Sequence, residues 1–438
     1  MSAVGVTAGG GPGSGGSPTA DRTVRVVVVG YDGSALPAEA RAAVDGADLV
    51  VGGQRHLDAA GAPEGARTMV MGRLADAATE VQLAYRRGER VVVLASGDPG
   101  FFGVVRRLTR EHLPLTVLPA RSSVASAFAR VGLPWDDAIV VSAHGRPRRT
   151  ALNVLRRFGS SGQPVAVLTD ADSAPDRLVE ELGDECPQLI VLERLGEPDE
   201  AVTRIVPGGS AAPEPGTISA SRARSRTWDP LNVVLAVGRP VHPQAPVLQG
   251  RRAEHADEVG GWALPDDAFQ HRDGMLTKRD VRAIVLARLA PGMGELVWDV
   301  GAGSGSVAVE CSRLGAAVVA VERDPHALHT IVANAARHHA PVRVVHGAAP
   351  AVLAGLPEPD AVFVGGGGVE AVQAVAAVRP QRLVIALATL ERVAPTVAAL
   401  GDYDVDTVLV QVQTLQPLGD GHRLAPTNPV FVVSGVLR

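Results

Sequence analysis

The stretch "LVWDVGAGSGSVAVE", residues 296–310, decides how the C-terminal half is read. An apolar run is followed by Gly301, Gly303 and Gly305, and then by helix formers. That order is the pattern of a buried strand, a tight loop and a helix start. Such a loop brings backbone N–H groups close to a small charged ligand. A dinucleotide fingerprint would place its third glycine where Ser306 stands. Asp299, two residues before the first glycine, repels a pyrophosphate and attracts a cation, such as a sulfonium with its ammonium group. The next strand, "AAVVAVERDP" at 316–325, ends with Glu322, placed to accept hydrogen bonds from both hydroxyls of a ribose.

Working outward, 438 residues are more than one core usually needs, so two or three domains are expected. Aromatic residues are only 3%, so the cores must be built from Val, Leu and Ala. A net charge of −5 leaves no electrostatic footprint for nucleic acid, and no run is long enough to span a membrane. Residues 1–21 lack a basic start and an apolar h-region, and read as a disordered Gly/Ser tail. The two cysteines, Cys186 and Cys311, form no ligand cluster and are expected to be buried thiols in a reducing compartment. A cytoplasmic α/β protein without a metal site is the expectation.

Val-rich runs recur upstream: "VRVVVVG", "ADLVVGG", "RVVVLAS", "LTVLPA", "AIVVSAH", "PVAVLTD", "QLIVLER" and "LNVVLAV". Continuous apolar runs suit a sheet covered on both faces, and alternation with helical stretches such as 73–87 favours βαβ units. Residues 203–227 show no clear period, and 239–260, rich in proline and charge, read as a linker. The expected division is a first domain at 22–238 and a second at 261–438.

The motif at 296–310, with Glu322, resembles the cofactor loop of class I S-adenosylmethionine (SAM) methyltransferases. Many of those place an acidic residue near the adenine, where "VVHGAAPAVL" offers Ala348 and Ala349, so adenine contacts there would come from the backbone. "GWALPDDAFQHRDGMLTKRDVRAIVLARL", 261–289, resembles the N-terminal segment of CbiT-type precorrin methyltransferases. Thr277 lies on the cofactor side by that resemblance, or simply caps the helix with Asp280 three residues on. Arg272, Lys278 and Arg282 are candidates for substrate carboxylates; Lys278 and Arg282 read equally as a solvated helix face.

"SGDPGFFG", 96–103, is a second glycine loop after a strand, and "VVGYDGS" ends the first strand in the same way. With "LPARSSVASAFARVGLPWDDAIVVSAHGR" and "PVAVLTD" in order, the N-terminal half resembles a tetrapyrrole (corrin/porphyrin) methylase domain of the CbiE type. In that family two α/β lobes hold SAM between them. The resemblance implies cofactor contacts at Gly30, Gly97, Asp98, Pro99 and Phe102, at Ser122 and Ser123, and at Thr169 and Asp170. Asp98 reads equally as a turn-stabilising Asx residue. No catalytic residue is assigned: His56 and His144 are candidates for a general base, against a purely structural role, and Lys278 is a further catalytic candidate. Arg55, Arg121 and Arg146 are the candidate carboxylate ligands of this half.

Both halves together resemble the bifunctional, decarboxylating precorrin methyltransferases of cobalamin biosynthesis. What this implies is C-methylation of a reduced tetrapyrrole at meso carbons 5 and 15 and loss of CO2 from the ring C acetate. One SAM per domain, a homo-oligomer formed through the C-terminal domain, and no nucleic-acid or membrane partner are further expectations. Two rivals remain. One keeps both cofactor sites but takes RNA or another small metabolite. The other treats one half as a non-catalytic SAM-binding scaffold.

Overall fold

Strands form where β-branched runs can be buried on two faces, and the chain does this three times. The computed structural model describes residues 26–207, 215–238, 261–271 and 276–438. The expected tail and linker lie outside these. The chain divides into two compact units, Met1–Ser123 and Val124–Arg438. That cut falls inside the segment 22–238 rather than at its end.

In the first unit β1 (Val26–Tyr31), β2 (Leu49–Gly52), β3 (Arg67–Val70), β4 (Val91–Ser96) and β5 (Leu115–Leu118) form a parallel sheet of order β3-β2-β4-β1-β5. Alternate residues go to opposite faces. Val26, Val28, Leu49, Val51, Val91 and Val93 pack against the helix Leu74–Arg86. Val29, Val50, Val92 and Leu94 pack against Ala40, Val44 and Leu57. Connections leave β1 and β4 in opposite directions, so a crevice opens outside their C-terminal ends, where Tyr31 and Ser96 are register partners.

The second unit holds two sheets. β6 (Ile139–Ser142), β7 (Val165–Leu168), β8 (Leu189–Glu193), β9 (Ala201–Val206), β10 (Thr217–Ser219) and β11 (Asn232–Ala236) run in the order β10-β9-β8-β11-β7-β6. Only β6/β7 and β9/β10 are parallel. β7, β11, β8 and β9 pair antiparallel in turn, so the expected βαβ pattern holds at one end only.

The other sheet comprises β12 (Leu296–Val300), β13 (Ala317–Glu322), β14 (Arg343–His346), β15 (Ala361–Val364), β16 (Arg382–Leu387), β17 (Tyr403–Val410) and β20 (Val430–Leu437). Its order is β14-β13-β12-β15-β16-β20-β17, with β20 antiparallel to both neighbours. β18 (Gln413–Leu418) and β19 (Gly421–Pro426) pair only with each other. The last antiparallel pair of this sheet is therefore β17 with β20, and β18–β19 are a separate ribbon. Leu415, Leu418 and Leu424 stand exposed on that ribbon.

The two sheets of this unit are joined through the helix Arg149–Phe158. Asn153, almost fully buried, donates to the Gly294 carbonyl at 3.1 Å, and Arg157 donates to the Ser312 carbonyl at 2.8 Å. Arg149 lies 3.1 Å from Asp360. Among the described residues no helix is long and apolar enough to cross a membrane.

Candidate functional site

At the C-terminal end of β12 the chain turns through Gly301, Gly303 and Gly305, with φ of 72°, 56° and 73°. A side chain at Gly301 would stand 2.8 Å from the backbone nitrogen of Gly366, so two strand-end loops are in backbone contact there. Gly305 precedes the helix Ser306–Arg313. Asp299 is fully buried beneath this turn. Its Oδ2 accepts from the Ala308 N–H at 2.9 Å, and its Oδ1 has no partner among the described residues. Burial pushes the Asp299 carboxyl up to about 7; the Ala308 hydrogen bond opposes the rise and the Glu322 charge adds to it. An orphan buried carboxylate oxygen is what a cationic ligand satisfies, so the loop fits a sulfonium cofactor.

Glu322 is buried at the end of β13. Its Oε2 accepts from Gly303 N–H at 2.8 Å, and its Oε1 accepts from Arg323 and Asp324 N–H at 2.8 and 3.0 Å. Three of roughly four acceptor directions of the carboxylate are thus occupied. As it stands, Glu322 has room for one ribose hydroxyl rather than two. Ala348 lies exposed in the loop after β14.

Arg282 is a correction. The sequence offers it as a substrate ligand or as part of a solvated helix face, but its side chain is fully buried. Its Nε donates to Glu310 Oε1 at 3.2 Å, its Nη1 to the Thr277 carbonyl at 2.6 Å, and its Nη2 to the Leu264 carbonyl. Glu310 in turn accepts from Leu264 and Ala263 N–H. The pair clamps the incoming segment to the sheet domain. Thr277 does not cap the helix Arg279–Leu289: Lys278 holds the N-cap position without a side-chain cap. Instead Asp266 Oδ1 accepts from Arg279 N–H at 2.9 Å, and Lys278, half-exposed, sits 3.5 Å from the same carboxylate. Arg272 lies outside the described residues.

In the first unit Gly30 is buried where β1, β4 and β5 end together. A Cβ there would lie 2.2 Å from the Gly97 carbonyl, so this glycine is required by backbone packing. Gly97 (φ 57°) donates to the Tyr31 carbonyl and packs against Ser122 and Ser123. Asp98 Oδ1 accepts from Gly100 N–H at 2.8 Å, the Asx turn anticipated as its alternative role. Pro99 is buried, and Phe102 adopts φ 56° with its ring edge-on to Phe101. Arg121 pairs with Asp32 at 3.1 Å. His56 is buried; Arg55 and His56 both reach Ser96 Oγ, at 2.7 and 3.1 Å. Burial, with the Arg55 charge adding to it, pulls the His56 imidazole down to about 4, so it is neutral at physiological pH.

In the second unit Thr169 is buried and donates to Asn232 Oδ1 at 2.7 Å. Asp170 ties together the turns after β6 and β7, accepting from Gly145 N–H at 2.6 Å and from Ser173 Oγ at 2.7 Å. Burial would raise its carboxyl, but these hydrogen bonds prevail and hold it below the usual range. His144 Nδ1 meets the Thr169 carbonyl at 3.2 Å, and Arg146 is exposed on the same turn. Among the described residues no group of three or more His, Cys, Asp or Glu could hold a metal ion.

The model of the tetrapyrrole (corrin/porphyrin) methylases matches residues 24–208, and that of the precorrin methyltransferase domain matches 267–436. The chain is 37% identical to precorrin-6Y C(5,15)-methyltransferase [decarboxylating] of a Sinorhizobium species, over 79% of this chain and 78% of that one. It belongs to that family of bifunctional precorrin methyltransferases. The Mycobacterium tuberculosis protein of the same name is 35% identical over 64% of each chain. The cobalt-precorrin-6B C(15)-methyltransferase (decarboxylating) of Salmonella typhimurium is 34% identical, matching 39% of this chain and 94% of its own length.

In this precorrin methyltransferase several site residues escaped the sequence reading. Gly365 and Gly366, after β15, lie against the Gly301 turn; the signal was the run of four glycines 365–368 at a strand end. Asn334, fully buried, donates to the Ser304 and Gln270 carbonyls at 2.8 Å each, tying the glycine loop to the N-terminal segment. A lone Asn within a helix gives no sequence signal of that role.

Proposed function

We propose that the chain methylates a reduced precorrin at carbons 5 and 15 and removes CO2 from its ring C acetate, binding one SAM in each half. The observation that carries this reading is the pairing in one chain of an Asp299/Glu322 glycine turn with a Gly-Asp-Pro turn. Asp299, Glu322 and the turn 301–305 would hold one cofactor; the turn 97–102 with Ser122 and Ser123 would hold the other. When bound, SAM supplies an already activated methyl group. The protein's share is alignment, which can lower a barrier by roughly 7–11 kcal/mol. A meso carbon of a reduced tetrapyrrole is enamine-like and already nucleophilic, so the lack of an evident catalytic triad is no objection. For decarboxylation the conjugated ring is the electron sink, and the chain orients the acetate and excludes water.

By family analogy the N-terminal half acts at carbon 5, and the C-terminal half acts at carbon 15 and decarboxylates. A homo-oligomer through the C-terminal domain is supported by the exposed Leu415, Leu418 and Leu424. The test is product mass after anaerobic incubation with the reduced precorrin-6 substrate and deuteriomethyl SAM. Two labelled methyls with loss of CO2 establish the assignment. One methyl means that a half is silent, and equilibrium dialysis against SAM then separates a dead site from an empty one. No change with both cofactor sites filled rejects the tetrapyrrole.

A further inference from the structure

Ser96 closes β4, immediately before Gly97, at the crevice where β1 and β4 end. Its hydroxyl is approached from two sides. Arg55 Nη2 donates to Ser96 Oγ at 2.7 Å, so the oxygen is an acceptor there. The serine proton is then free to point at His56 Nε2, 3.1 Å away. That makes His56 the Nδ1–H tautomer, with Nδ1 buried and without a hydrogen-bond partner among the described residues. A charged imidazole would offer Ser96 only a donor and set a second positive charge beside Arg55. The neutral ring avoids both.

Arg55 is exposed, and it makes no ion pair with an acidic side chain among the described residues. Other arginines of this unit differ: Arg121 pairs with Asp32, Arg90 with Asp48, and Arg67 with Glu80 and Glu89. Among the described residues only one of its five N–H donors is used, which leaves a fork for a planar anion. We propose that Arg55, Ser96 and His56 form a carboxylate clamp, in which Arg55 receives a ligand carboxylate, Ser96 orients Arg55, and His56 orients Ser96. The proposal rests on the methylase reading of this half. His56 is thereby a positioning residue and not a base. The carboxylate belongs either to a side chain of the tetrapyrrole or to the amino-acid end of the cofactor.

The experiment uses the full chain, the reduced tetrapyrrole, and S-adenosylhomocysteine as cofactor probe. Arg55→Gln and Ser96→Ala are compared with Ser96→Thr and His56→Gln, which keep a hydroxyl and an acceptor. If the tetrapyrrole supplies the anion, Arg55→Gln and Ser96→Ala raise its KM for carbon-5 methylation about tenfold or more, with kcat little changed. A substrate with its carboxylates esterified then no longer distinguishes wild type from Arg55→Gln. If the cofactor supplies it, S-adenosylhomocysteine affinity at one site falls by a similar factor instead, and its methyl ester binds wild type and variant alike. In either arm Ser96→Thr and His56→Gln stay close to wild type. Wild-type turnover with neither constant moved in Arg55→Gln and Ser96→Ala overturns the clamp alone. A wild-type chain that binds neither ligand overturns the clamp and the methylase reading together.

Discussion

Arg282 and Glu310 form an ion pair at 3.2 Å with both side chains wholly removed from solvent. Each is further satisfied by backbone groups of residues 263–264 and 277. Removing one partner leaves a buried charge uncompensated. Arg282→Met should therefore cost about 3–5 kcal/mol, whereas the double change Arg282→Met with Glu310→Leu should recover much of it. Urea unfolding of the two variants and the wild type checks this.

Asp299 sets a pH dependence. Its folded carboxyl titrates near 7, above its ordinary value of 3.8, so the folded state holds a proton that the unfolded state has lost. The stability from the neutral form is complete below the unfolded value and disappears as pH rises through the folded one. Asp299→Asn should melt above wild type at pH 8 and converge with it near pH 4. The same variant should weaken SAM binding, because the neutral amide no longer compensates a cation. Thermal melts with and without SAM across that range test both parts.

The glycines of the turn are required for different reasons. Gly301→Ala meets backbone at Gly366, whereas Gly305→Ala meets the Ile331 side chain at 2.9 Å. Both also carry left-handed strain of about 1–2 kcal/mol. Shortening Ile331 to Ala should relieve part of the Gly305→Ala defect, and no side-chain change should rescue Gly301→Ala. Cofactor affinity in Gly301→Ala, Gly305→Ala and the Gly305→Ala/Ile331→Ala double variant is the readout.

The helix Arg149–Phe158 couples the two sheets of the second unit. Replacing Arg149, Asn153 and Arg157 together by Ala removes the hydrogen bonds to Asp360, Gly294 and Ser312. Unfolding of the second unit should then change from one transition to two, as seen by calorimetry.

The β18–β19 ribbon predicts association. Leu415→Glu with Leu424→Glu should lower the solution mass measured by sedimentation while leaving the sheet domain folded, since neither side chain packs into its core.

Strand positions were legible because buried strands repeat Val and Leu over four to six residues, as at 26–31, 91–96 and 296–300. β3 escaped: it lies at a sheet edge, three of its four residues are exposed, and it carries no apolar run. β9 escaped because Thr203 and Arg204 interrupt it. The glycine turns and Asp299 were legible from loop chemistry that is local in sequence.

By itself the sequence determined most of the buried strands, the two glycine turns and the acidic strand ends, because each is set by neighbours within a few residues. Only the tertiary structure decided which charges are free. Arg282 and Arg55 are indistinguishable as letters beside apolar runs. One finds Glu310 across 28 residues of chain and is buried; the other finds a serine 41 residues on and keeps its charge at the crevice. A cation's role depends on which partner folding brings within hydrogen-bond reach, and that is a property of the packed chain.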